Sequence, residues 1–256
     1  MTSAPIDTLR KIMIMLRNKE TGCPWDVQQT HQSIAHYAIE EAYELADAIE
    51  RNHLDDIKSE LGDILLQVVF HSRIAQESGH FDFDDVANAI CTKMIERHPH
   101  VFGHEQQHNA SSQHKAWEEH KDRERRAVGA LSQMDNIPIT LPAITRAEKI
   151  QQRAARVGFD WKDSADVISK IYEELEEVQQ AHSPEHIKEE IGDVLFTVVN
   201  LARHHNIRAD EALKLTNIKF ERRFRHMEEA ATHEGRSLKN ETIEQLETRW
   251  QVAKRS

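Results

Sequence analysis

Glycine and proline are scarce in this chain, 8 and 6 among 256 residues, and aromatic side chains make up only 6%. So few turn-forming residues leave long stretches to regular structure. Together with 30% charged residues and long periodic segments, that scarcity argues for an all-helical protein. Cysteine is nearly absent: Cys23 and Cys91 make no disulfide framework and lack zinc-ligand spacing, so a reduced cytosol suits them. No apolar run approaches membrane length, and the start MTSAPIDTLRKIMIMLRNK has neither a long apolar core nor a cleavage site. The chain therefore reads as soluble and cytoplasmic. Positive charge is in deficit, 33 Lys+Arg against 44 Asp+Glu, and the net charge of −11 argues against a broad electrostatic grip on nucleic acid. A small anionic ligand stays open if metal ions and a few local cations carry it. No glycine-rich phosphate loop is present, which excludes a P-loop NTPase. No nucleophilic Ser or Cys arrangement appears either; Cys23 adjoins Pro24 and Trp25 and reads as a packed residue where a helix begins. Histidine is plentiful at 17, but HPHVFGHEQQHNASSQH spreads several through a polar stretch that reads as a loop, not a metal site.

What the chain has instead is a repeat. SELGDILLQVVF at residues 59–70 returns as EEIGDVLFTVVN at 189–200. The apolar stripe Ile57, Leu61, Ile64, Leu65, Val68, Val69 reappears with identical spacing as Ile187, Ile191, Val194, Leu195, Val198, Val199. An offset near half the chain means a duplicated domain, not a short-period solenoid. The spacing predicts helices over 5–17, 33–51, 54–77, 83–97 and 112–126, then over 140–156, 164–181, 184–205, 209–231 and 240–254. Gly129, Pro138 and Pro142 interrupt the periodicity, so the expected organisation is tandem helical-bundle domains at 1–127 and 143–256 joined by a linker at 128–142. Ser183-Pro184-Glu185 marks one helix start. Gly62 and Gly192 sit inside strong helices at a cost of about 1 kcal/mol each against alanine, for which close packing against a neighbouring helix or ligand is the expected reason.

IAHYAIEEAYELADAIE, residues 34–50, raises a specific question. Ile34, Ala38, Ala42, Leu45 and Ile49 fall on one side of a helix, and Glu41 lands among them with Glu44 beside it. A buried carboxylate is costly unless paired or bound to a cation. Glu41 and Glu44 share a face, as do Glu60 and Asp63 on the next helix; the second copy matches them with Glu174, Glu177, Glu190 and Asp193. If each helix pair forms an antiparallel hairpin, the four acids converge, and only protonation or a divalent cation relieves their repulsion. All-oxygen ligation selects Mg²⁺, with Mn²⁺ as a substitute. A charged helical run is more often a solvated face. Against that stand the placement of Glu41 and the doubled E-x-x-E and E-x-x-D pattern, although common descent would preserve the spacing too.

Cations and rings repeat as well. Lys93 and Arg97 share the K-x3-R spacing of Lys219 and Arg223; Trp117 and Lys121 share the W-x3-K spacing of Trp250 and Lys254. Each pair points from one helix face, giving cations for phosphate and a ring for a base. Taken alone, either pair is equally a surface salt bridge beside a core tryptophan. Acids for metal, bases for phosphate and a ring for stacking together describe a nucleoside polyphosphate.

At these residues the sequence resembles the MazG family of nucleoside triphosphate pyrophosphohydrolases. The resemblance runs over essentially the whole chain: GCPWD at 22–26, the acid pairs, RHPHVF at 97–102, VGFDW at 157–161 and KFERRF at 219–224. It implies tandem helical domains, a homodimer, Mg²⁺ dependence and cleavage of an NTP to NMP and pyrophosphate. It also implies tolerance of several bases and a role in clearing unwanted nucleotides or adjusting pools under stress. Carried over, Glu174, Glu177, Glu190 and Asp193 would hold Mg²⁺, while Lys219 and Arg223 would bind phosphates. Trp250 would pack on the base or sugar with Lys254 nearby, and Lys170 and Lys188 would add phosphate contacts. The first half keeps Glu41, Glu44, Glu60 and Asp63 as possible metal ligands, so either half could turn over substrate; the KFERRF match favours the second.

The chemistry expected is water attack at the α-phosphorus, with a cluster carboxylate, Glu173 or Glu189 taking the proton. Two other readings compete. A di-iron carboxylate bundle needs Glu-x-x-His from two helices, and neither ELGD nor EIGD supplies the histidine. A nucleotide-binding interaction module with one or both halves inactive fits the same residues.

Overall fold

The computed structural model describes residues 4–103, 129 and 131–255, and among these there is no β-strand. It divides into two compact units, Met1–His120 and Lys121–Ser256. The first holds α1 (Pro5–Leu16), α2 (Pro24–Gln28), α3 (His31–Glu50), α4 (Leu54–Glu77), α5 (Phe83–Arg97) and α6 (Pro99–Phe102). The second holds α7 (Ala143–Ala155), α8 (Ser164–Gln180), α9 (Pro184–His204), α10 (Ala209–His233), a 3-10 turn (Leu238–Asn240) and α11 (Ile243–Ala253). No helix among the described residues is long and apolar enough to cross a membrane.

Capping explains where several helices start. At Thr30 the hydroxyl accepts from the Ser33 N–H at 3.2 Å while the Thr30 N–H donates to Ser33 Oγ at 2.9 Å, a reciprocal box that begins α3 two residues before the periodicity does. Ser183 Oγ accepts from the His186 N–H at 3.2 Å, as the Ser-Pro-Glu signature requires. Thr242 and Gln245 form another such box and start α11 at Ile243, later than the apolar spacing suggests. Three expectations change or fall outside view. Pro24–Gln28 and Pro99–Phe102 are short helices that periodicity cannot register, the second within the histidine-rich stretch read as loop. The helix expected over 112–126, with Trp117 and Lys121, lies outside the described residues.

In each unit the strongest packing is one hairpin, α3 on α4 and α8 on α9. Asn52, with φ of 52°, makes the left-handed bend that turns α3 back into α4. The same flanking helices recur: α1 and α5 pack on α4, and α7 and α10 pack on α9. Met13, Ile34, Val69, Phe70 and Ile74 close the core of the first unit. Arg17 is also buried there, bound to Glu77 at 2.7 Å and to the Gln29 carbonyl at 3.2 Å, so it fastens the loop between α1 and α3 to the end of α4.

The repeated apolar stripe is divided. Val69 and Val199 are 3% and 4% exposed, whereas Leu61 and Leu195 are 52% and 57% exposed. Leu65, Ile191, Ala42 and Ile49 also face outward. Gly62 and Gly192 lie on this outward side, and a Cβ added to either meets nothing within 4 Å. Among the described residues no helix of the same unit approaches these glycines, which leaves a ligand or a helix of another chain as the close neighbour the expectation calls for.

Ile34 is fully enclosed, so Ile34→Ala is expected to cost about 2–5 kcal/mol. Urea unfolding of the first unit should show it as a lowered midpoint. Ile139→Ala, at a position 84% exposed, should shift stability by less than about 0.5 kcal/mol.

Candidate functional site

The hairpins bring acids of two helices together. Carboxylate oxygens of Glu41 on α3 and of Glu60 and Asp63 on α4 lie within 4.8 Å of one another, all half-buried. Oxygens of Glu174 and Glu177 on α8 and Glu190 on α9 converge within the same limit, with Glu174 buried. Spacings of three residues put each helical pair on one face, and the antiparallel turn faces the two pairs toward each other. The fourth acid differs between the units. Glu44 is exposed but hydrogen-bonded to Glu60; Asp193 is exposed and stands outside the Glu174–Glu177–Glu190 trio.

Convergence shows in the proton affinities. Burial, then the charges of Asp63, Glu44 and Glu60, raises the Glu41 carboxyl above its ordinary value. Burial and the charges of Glu44 and Asp63 raise Glu60. At Glu177 a hydrogen bond with Glu174 is the largest cause of the same upward shift, followed by burial and the charges of Glu174 and Glu190; Lys170 opposes it. Carboxylates that resist ionising side by side are an all-oxygen donor set suited to a small hard cation, so the residues present fit Mg²⁺ or Mn²⁺.

The second trio has a lysine and a histidine against it. Lys170 Nζ lies 2.9 Å from Glu174 and 2.7 Å from Glu173, pairings that raise its pKa. His186 Nε2 lies 2.9 Å from Glu190. Lys170 thus sits against the acids that would hold the cation. His186 was missed by sequence reasoning, although its four-residue spacing to Glu190 was a legible signal. Counting back from the acids, the first copy has Tyr37 and Asp56 at the matching places, and Asp56 is paired with Arg51 at 2.6 Å.

Of the remaining candidates, Lys219 is exposed on α10 and Arg223, one turn on, is half-buried. Its guanidinium lies over the Trp250 ring at 5.7 Å, and Phe220 approaches the same ring at 5.1 Å. The structure thus joins Arg223 to Trp250 across α10 and α11. Arg223 Nε is buried without a hydrogen-bond partner, which leaves part of that guanidinium for a further acceptor. Lys188 is exposed in the first turns of α9, and Lys254 is exposed at the end of α11. In the first unit Lys93 is exposed and Arg97 half-buried near the end of α5.

The raised carboxyls have a consequence for stability. Their folded values lie above the ordinary 4.5, so the folded chain holds more protons than the unfolded one from about that pH up to the raised values. In chelator, Tm should therefore fall as pH climbs through that window, and Mg²⁺ should abolish the fall. Glu77 and Asp160, held down by arginine against the upward push of their burial, act with the opposite sign below their ordinary values. A Tm that ignores metal across this range would sink the cation-site reading.

Comparison with known proteins gives the same two stretches. The profile of the MazG nucleotide pyrophosphohydrolase domain matches residues 29–102 and 164–228, which contain both acid hairpins. Nucleoside triphosphate pyrophosphohydrolase of Escherichia coli K12 is 47% identical over 98% of this chain and 97% of that protein. A nucleoside triphosphate pyrophosphohydrolase/pyrophosphatase of Thermotoga maritima is 44% identical over 97% of this chain and 95% of its own length. The uncharacterized protein YabN of Bacillus subtilis is 43% identical over 96% of this chain, which corresponds to 51% of YabN.

Proposed function

Because the chain belongs to the MazG nucleotide pyrophosphohydrolase family, we propose that it is a nucleoside triphosphate pyrophosphohydrolase that releases NMP and pyrophosphate with Mg²⁺, or Mn²⁺, as cofactor. The observation that carries this reading is the pair of convergent carboxylate trios, one in each hairpin. When bound, the cation neutralises triphosphate oxygens and lowers the pKa of a coordinated water. Glu174, Glu177 and Glu190 would hold it in the second unit, and Asp193, one turn beyond Glu190 and outside the trio as it stands, would join them. A carboxylate of the cluster takes the proton from the attacking water. Of its neighbours, Glu173 already accepts from Lys170 at 2.7 Å, which leaves Glu189 the freer candidate. Lys219 and Arg223 offset the charge of departing pyrophosphate, with Lys170 and Lys188 as further phosphate contacts; Trp250 lies under the Arg223 guanidinium and packs on the base or sugar, with Lys254 nearby.

The second unit is the preferred working site, supported by its flanking Lys170 and its joined Arg223 and Trp250. The first unit keeps the acids, so a nucleotide-binding role without turnover is the second reading for that half. Broad base tolerance and removal of unwanted nucleotides complete the proposal. Release of NMP and pyrophosphate from a panel of NTPs, with Mg²⁺ and with chelator, tests it. Glu174→Gln should cut the rate at least about a hundredfold, since a lost cation ligand removes transition-state charge stabilisation. Glu41→Gln should leave most of it. The opposite pattern would move the working site to the first unit.

We also propose a homodimer, supported by the outward apolar residues beside Gly62 and Gly192. A second copy of the chain laid on α4 and α9 would bury Leu61, Leu65, Ile191 and Leu195. Leu65→Glu combined with Leu195→Glu should shift sedimentation towards the monomer. An unchanged sedimentation coefficient would reject these faces as the interface.

A further inference from the structure

One cavity in the second unit belongs to no part of the machinery described so far. It is an open-mouthed hollow of about 460 Å³ between α7, α9 and the VGFDW segment, walled by Ile150, Ala154, Trp161 and Phe196, with Phe159, 79% exposed, at its rim. That volume falls within the range of small-ligand sites, about 300–1,000 Å³. Two buried amides face it among these apolar walls, Gln151 at 4% and Asn200 at 3% exposure. Gln151 Nε2 donates to the Phe196 carbonyl at 2.7 Å, which fixes the amide orientation, and Gln151 Oε1 is then a buried acceptor with no protein partner. A lone acceptor in a mostly apolar cavity is the device by which a site selects a flat ring carrying an N–H.

The walls are held in place from both ends. Gly158, with φ of 84°, makes the left-handed bend that only glycine adopts freely, and the Phe159 N–H closes α7 on the Ala154 carbonyl at 3.1 Å. Asp160 is gripped by Arg203 and by His204 Nε2 at 3.2 Å, tying the loop to the end of α9.

The first unit shows what this place becomes as plain core. RKIM at 10–13 answers to EKIQ at 148–151, so Met13 stands where Gln151 does; by the register of the α4 and α9 repeat, Phe70 stands where Asn200 does. Met13 and Phe70 are buried core residues, Trp25 packs edge-on to Phe70 at 6.5 Å, and the remaining space is about 180 Å³. Gln67 Oε1 is unpartnered there too, but in a space below the size of a ligand site. One copy closed the cavity with apolar side chains, and the other kept it open with amides.

We propose that this cavity takes a nucleobase, namely the base of the triphosphate held at the second acid trio, with Gln151 Oε1 accepting from a ring or exocyclic N–H. The assignment rests on the pyrophosphohydrolase reading. Its support is position: Asn200 follows Glu190, the α9 member of the trio, by ten residues, about 15 Å along α9, a span suited to a nucleotide with phosphates at one end and base at the other. An acceptor shared by the N–H groups of adenine, cytosine and guanine admits several bases.

Gln151→Met and Asn200→Phe restore the side chains of the first unit and remove buried amides, so both variants should fold at least as well as the parent. Each should raise KM for NTPs about tenfold, the factor for about 1.4 kcal/mol of lost binding, with kcat within about twofold. Adenosine, which lacks phosphate, should bind the parent in calorimetry and fail to bind either variant. Inhibition by Mg²⁺-tripolyphosphate should be unchanged. Parental KM values in both variants would overturn the assignment, and so would adenosine binding that survives in both. Adenosine binding lost in the variants with KM unmoved would also overturn it, placing a base from another source in the cavity. If the parent cleaves no NTP, the pyrophosphohydrolase reading falls, and the adenosine titration still decides whether the cavity holds a base.

Discussion

Everything in the site depends on holding carboxylates of like charge together between two helices that would otherwise separate them. Oxygens within 4.8 Å at the hairpin seams repel one another, and the hairpins hold because apolar contacts on the same helices outweigh that repulsion. Ile34 and Ala48 anchor α3 on either side of Glu41 and Glu44, and Val69 and Phe70 anchor α4 on the C-terminal side of Glu60 and Asp63. Fold and site are thus one device: the antiparallel pairing that buries the valines also aims the acids. The remaining tension leaves the site favouring protons or a divalent cation.

The two copies have resolved that tension differently. In the second, Lys170 lies against Glu174, so part of the charge is already balanced by the chain, and His186 lies against Glu190; even so, Glu177 holds its proton more tightly than usual. In the first, Tyr37 and Asp56 occupy the matching places, and Glu41 and Glu60 both hold their protons more tightly than usual. Both trios remain all-oxygen donor sets for a cation, and the lysine beside the second is the difference between them among the described residues.

Much of this was legible in the sequence because helices write themselves in period. The α4 limits, the duplication and the i, i+3 acid pairs follow from 3.6-residue geometry, and two such helices with a short turn between them have little choice but to face each other. The exclusion of Asp193 from its trio was not legible, since it depends on how α8 and α9 rotate against each other. The glycines misled for a related reason: a pattern shows that Gly62 and Gly192 avoid a side chain, but not whether the neighbour belongs to the same unit. Short helices such as α2 and α6 span too few residues to show a period at all.

Least legible was the difference between Met13 and Gln151, which takes three elements to interpret. In sequence, each is one position on an amphipathic helix. In the fold, Met13 with Phe70 closes a core, while Gln151 with Asn200 leaves a cavity beside a buried acceptor. Filling that cavity with apolar side chains would stabilise the second unit, as it does the first, and the chain that occupies this fold has not done so. An unpaired buried oxygen costs about 1–3 kcal/mol, and both units carry one, Gln67 Oε1 and Gln151 Oε1, so the orphaned acceptor alone does not set them apart. What differs is the space beside it, about 180 Å³ in the first unit and about 460 Å³ in the second, and only the second has room for a ligand that supplies the missing partner.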